Sequence, residues 1–125
     1  HIEFFKTKDD YIAIEYNNRP AGAFAVDVYN FAHSTDYFRV YAEVANGTFN
    51  GLNIDEKYGL ASTRRDYKDY VYSDEEIREK YQDKLKAVLR MPEAFAELQG
   101  NTMYVLVADT LEEMKEMERF VGKLK

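Results

Sequence analysis

Four polar residues near the start of the chain have types and spacing that could do chemistry: Glu3, Glu15, Asn17 and Arg19. Residues 2–6 and 11–16 are rich in β-branched and aromatic side chains and flank the turn formers Thr7, Lys8, Asp9 and Asp10, so they predict a β-hairpin. A turn centred near Asp9 sets Glu3 across from Glu15 on one face, and Phe4 across from Ile14 on the other. Like charges opposed across an antiparallel pair cost up to about 1 kcal/mol, which a cation held between them would offset. Asn17, two residues beyond Glu15, continues that face. The resulting set is all oxygen, which suits magnesium or manganese. Such an ion, bound by one or two carboxylates, takes its other ligands from water and phosphates. Arg19 could form a bidentate pair with a phosphate or carboxylate, in a loop stiffened by Pro20 and loosened by Gly22. The competing reading is that these are ordinary solvated carboxylates on an exposed strand, and residue types alone leave both open.

The rest of the chain must supply the scaffold. Asn17–Gly22 breaks the strand pattern. Phe24, Val28, Phe31 and Ala32 then recur at helical spacing, and Ser34 or Thr35 is placed to cap a second helix with the face Phe38, Tyr41, Ala42 and Ala45, ended by Asn46 and Gly47. A polar loop over 48–56 precedes a strand from Tyr58 towards Arg64 and Arg65, with 70–72 as a candidate partner. Ser73 with Glu76, and Thr110 with Glu113, are capping-box pairs for helices running to about Gln82 and over 111–122. Residues 86–90 and 103–108 read as strands, and Pro92 opens a short helix over 93–99. Mixed strands and helices without strict alternation or repeats predict an α+β fold: a mainly antiparallel sheet with helices packed on it, in one domain spanning 1–125.

Composition narrows the function classes. In 125 residues, 46% are apolar and 15% aromatic, enough to bury a core. A net charge of −6, with Lys and Arg interleaved among acids, disfavours nucleic acid as a partner. The absence of cysteine excludes a disulfide framework, no apolar run approaches the length of a membrane helix, and a cytoplasmic location is expected. The chain opens at His1 and runs directly into a strand pattern, so either a removed upstream segment or the end of a tag is expected there.

Several other residues invite roles. His33 lies at a helix junction with only Asp36 as a nearby acid, which fits capping or exposure better than general-base work. Arg64 and Arg65 could meet an anion, but adjacent strand residues point to opposite faces. Tyr58, Tyr67, Tyr70 and Tyr72 read as half-buried positions with hydroxyls in water rather than as a stacking platform. Met103, Met114 and Met117 are expected to fill the core against the last helix, whose stripe is 114, 117, 120 and 121; Glu76 and Lys80 form an i,i+4 pair on a solvated helix face.

Written out, Glu3-Phe4-Phe5, a hairpin, and then Ile14-Glu15-Tyr16-Asn17-Asn18-Arg19-Pro20-Ala21-Gly22 resembles the end of the catalytic core of ATP-grasp enzymes of the carbamoyl-phosphate-synthase and biotin-carboxylase type. Asp27 to Ala32, with Asp36 and Tyr37, is similar to the helices that follow that motif. The likeness in order and spacing covers residues 3–46; from 47 onward it rests on element order. It implies that Glu3, Glu15 and Asn17 bind magnesium (or manganese) bridging the phosphates of ATP, and that Arg19 contacts the phosphate or a carboxylate substrate. The implied reaction is ATP-dependent ligation through an acyl phosphate. The chain would supply the end of the core (1–46) and an α+β extension (47–125), and would be inactive alone. The family's amino-terminal subdomain, with two lysines and a glycine-rich loop over the phosphates, has no counterpart here. The alternative is a non-catalytic interaction or regulatory domain whose acidic hairpin is merely solvated.

Overall fold

A computed structural model describes residues 1–125, and it is α+β. Strand β1 (Ile2–Lys6) and strand β2 (Tyr11–Tyr16) form an antiparallel hairpin closed by Thr7, whose amide and hydroxyl both donate to the Asp10 carbonyl at 2.9 Å. Helices α1 (Ala25–His33) and α2 (Tyr37–Ala45) follow. A second sheet, separate from the hairpin, has the antiparallel order β3-β5-β4, formed by β3 (Tyr58–Arg64), β4 (Leu85–Arg90) and β5 (Thr102–Ala108). Helices α3 (Asp74–Lys80), α4 (Glu93–Gln99) and α5 (Leu111–Gly122) complete the chain. No helix is long and apolar enough to cross a membrane.

Alternation along the central strand β5 decides where the core sits. Tyr104, Leu106 and Ala108 face α3 and α5, where they join Ile77, Tyr81, Met117 and Val121. Met103 and Val105 face the other way, towards Met91, with Phe24 at the start of α1 and Val28 within it packed against them. Met103 therefore packs opposite the last helix and not against it, because odd and even strand positions serve opposite faces. The α5 stripe forms as its spacing predicts: Met117 and Val121 are buried, and Met114 and Phe120 are partly so. Ser73 and Thr110 accept from the amides of Glu76 and Glu113 at 3.2 and 3.1 Å, but only the first pair closes into a reciprocal box, with the Ser73 amide donating to Glu76; the Glu113 carboxylate instead accepts from the Asp109 amide at 2.7 Å, one residue before the cap. Lys80, expected to pair with Glu76, reaches Glu116 of α5 instead at 3.1 Å.

Other local expectations shift for identifiable reasons. Ser34 does not cap α2; it ends α1 in the left-handed region (φ 49°), and Asp36 caps α2 by accepting from the Arg39 amide at 3.1 Å. Residues 70–72 do not pair with β3, whose one ladder goes to β5; Tyr70 bridges Leu124 near the chain end. In the hairpin Phe4 faces Ala13 rather than Ile14, because the register shifts between Glu3 and Phe4 and leaves Ile14 as an extra residue of β2.

The α1 helix reaches the second sheet through close contact at Gly59 in β3. A Cβ built there would lie 2.7 Å from Val28 Cγ1 and 3.2 Å from the Ala32 Cβ, so only glycine lets α1 approach this far.

Candidate functional site

The hairpin does set Glu3 directly opposite Glu15. Both glutamates are exposed, and Asn17 beyond them is half-buried. The Asn17 amide donates to Glu15 Oε1, and its Nδ2 lies 3.5 Å from His1 Nδ1. The other ring nitrogen of His1, Nε2, is 3.0 Å from Glu3 Oε1. His1, Glu3, Glu15 and Asn17 thus form one connected polar row across two strands. The sequence reading missed His1, although its position two residues before Glu3 places it on the same strand face.

This donor set fits a hard cation in kind: two carboxylates and one amide oxygen, with room in solvent for waters and phosphate. Nowhere in the chain do three or more His, Asp or Glu side chains converge into a metal cluster, so any ion here would draw most of its ligands from elsewhere.

Arg19 is exposed, and its guanidinium donates at 3.1 Å to the carbonyl of Pro20, its own neighbour. No carboxylate neutralises it. It lines a cleft of about 300 Å³ between the hairpin end and α2, together with His1, Asn17 and the α2 residues Tyr37, Val40 and Tyr41. The Tyr41 hydroxyl donates to the Asn18 carbonyl at 3.4 Å and steadies the loop from the helix side. The fold therefore gathers Asn17 and Arg19 at one cleft and leaves Glu3 and Glu15 beside it on the open hairpin face.

The remaining polar candidates are structural. His33 donates from Nδ1 to the Asp55 carbonyl at 2.5 Å and packs on Tyr29, with centroids 4.1 Å apart. It anchors the loop before β3. Arg64 is only 6% exposed; its Nε and Nη1 donate to the carbonyls of Val121 and Tyr72, each at 2.8 Å, and its guanidinium lies 4.5 Å from the Tyr70 ring centroid. Arg65 donates to the carbonyls of Ala96, Glu97 and Leu98, satisfying the end of α4. Neither arginine is free for an anion. The tyrosines divide: Tyr58 and Tyr67 are exposed, while the Tyr70 hydroxyl accepts from the Arg65 amide at 2.9 Å and Tyr72 stacks on Phe120 at 3.6 Å. Tyr104 is buried; burial and the nearby Asp74 carboxylate raise its hydroxyl far above the ordinary tyrosine range, so it stays neutral.

No family model matches this chain, and neither does any curated protein or any solved structure.

Proposed function

We propose that this chain is the magnesium- and phosphate-binding part of an ATP-grasp carboxylate ligase, completed by an amino-terminal ATP-grasp subdomain and working in the cytoplasm. The observation that carries this reading is the in-register opposition of Glu3 and Glu15, with Asn17 hydrogen-bonded beside them and Arg19 at the adjoining cleft.

The overall reaction is two displacements. A carboxylate oxygen of the substrate attacks the γ-phosphorus of ATP; the bond to the bridging oxygen breaks, and ADP leaves with the electron pair. An amine, thiol or other nucleophile then attacks the acyl carbon, and phosphate departs. Magnesium, when bound, would screen the charge of the phosphates as it shifts. Glu3 and Glu15 would supply the anionic ligands and Asn17 a neutral oxygen. Arg19 would hold a phosphate or the substrate carboxylate by paired N–H donors, an electrostatic role that costs little reorganisation once the loop is set. The lysines and glycine-rich loop of the implied subdomain are absent from the sequence, which supports inactivity of the chain alone.

Manganese provides the test. Titration of the chain with Mn²⁺, followed by paramagnetic broadening, should affect amides around Glu3, Glu15 and Asn17, and Glu3→Gln combined with Glu15→Gln should abolish the effect. Broadening spread evenly over the surface acids would sink this reading. It would favour the interaction-domain alternative, which draws support from the exposed Phe5 and Ile12 flanking the acidic pair.

A further inference from the structure

The two faces of the hairpin differ in charge. One carries Glu3 and Glu15 with Phe5 and Ile12; the other carries Ile2, Phe4, Tyr11, Ala13 and Tyr16, with Lys6 at its turn end as the one charge. Phe4 and Tyr11 meet edge to face on this second side, 6.4 Å between centroids. Its large side chains are all at least half exposed, from Phe4 at 51% to Tyr16 at 73%. At the Tyr16 end the face continues into Tyr41 and Val44 of α2, which are themselves exposed.

We infer that this charge-poor face is a self-association surface on which two copies of the chain stack about a two-fold axis near Phe4 and Ala13. Area is the first reason. An aromatic side chain can bury roughly 150–250 Å², so these six large side chains leave on the order of 700 Å² in water, close to the ~800 Å² per partner of a stable interface. Soluble monomers seldom leave an apolar patch of that size open. A two-stranded hairpin without a covered face is also marginal in water, and stacking two such sheets supplies that cover. Charge is the second reason. An antiparallel two-fold arrangement sets Lys6 of each copy over the Tyr16 end of the other, where the ammonium meets an aromatic face and the two lysines stand a strand length apart. The opposite stacking would bring four glutamates together. The paired carboxylates Glu3 and Glu15 lie on the opposite side of the hairpin, so cation binding there and association can fail separately, while the Tyr16 end of the association face borders the Arg19 cleft.

Sedimentation equilibrium over a range of concentrations tests this. The mass should rise from 14.7 kDa to twice that value. Phe4→Glu should raise the dissociation constant about tenfold or more, as expected for a central aromatic, whereas Phe5→Glu on the acidic face should leave it unchanged. The chain has no cysteine, so Ala13→Cys and Ile12→Cys each introduce a single thiol. A short bis-maleimide reaching across the ~10 Å between stacked sheets should join copies through position 13 and not through position 12. This second readout holds even if Phe4→Glu loosens the hairpin. A chain that remains monomeric, an equal response to both phenylalanine substitutions, cross-linking through position 12, or open-ended growth by strand-edge pairing would each overturn the inference.

Discussion

Residues 1–47 and 58–125 are built from the same kinds of element yet differ in how they satisfy their apolar side chains. The second region encloses its core: β5 is buried over nearly its whole length between α3 and α5 on one side and α1 on the other. The first contributes only Val26, Ala32 and Val40 to the buried set, and every residue of its hairpin is exposed. Both strands of that hairpin are as β-prone as β5. Propensity thus suffices to write a strand, whereas burial depends on what lies next to it, and the first region leaves its apolar side chains in water.

The largest expected effect lies in the enclosed core. Leu106 is 0% exposed at the centre of β5, and Leu106→Ala should cost about 3–4 kcal/mol in chemical denaturation. Phe5→Ala, of comparable bulk but exposed, should move the same transition by less than about 0.5 kcal/mol. Equal losses would erase the distinction between the regions. Arg64→Leu comes next: it strips two carbonyls of donors in a buried setting, at a cost of about 2–3 kcal/mol, and should free the chain end first, visible as faster amide exchange at Val71 and Lys125. Gly59→Ala sharpens the comparison where the regions meet. The added methyl strikes Val28 on α1, and a loss of about 1–2 kcal/mol should come with faster exchange in α1 while α5 keeps its protection.

The smallest effect is electrostatic. Hydrogen bonds from Lys84 and Lys57 hold the Asp109 carboxyl below its ordinary value of 3.8. A depressed carboxyl adds stability that is complete above the unfolded value and is lost as pH falls through the lower folded one. Asp109→Asn should therefore remove a small stabilisation at neutral pH, where it is fully present, and match the parent chain once pH falls well below about 4, which flattens the acid limb; the effect is small because the pair is exposed.

Much of the second region was legible in the sequence because its signals are local. The capping pairs at Ser73 and Thr110, the apolar stripe of α5 and the run 103–108 all follow from spacing within one element. The misplacements needed three-dimensional information. That β3 pairs with β5 and not with 70–72, and that Lys80 finds Glu116, depends on which distant segments meet. At the candidate site, the opposition of Glu3 and Glu15 was read correctly, but from a uniform ladder that does not exist: on the turn side the strands pair one residue out of step with the acidic end. The roles of Arg64 and Arg65 could not be seen because their acceptors are backbone carbonyls remote in sequence, which no side-chain motif announces.

That break in step gives β2 a spare residue. In a regular strand, removing one residue turns every side chain beyond the cut to the opposite face. Here the ladder pairs Phe4 with Ala13 and then skips Ile14 before pairing Glu3 with Glu15, so excising Ile14 would close the ladder into an unbroken run with the acidic pair still opposed. The hairpin can thus shorten by a residue without losing its polar row. Drift in strand length, which ordinarily destroys a site carried on a strand, is tolerated at this one position.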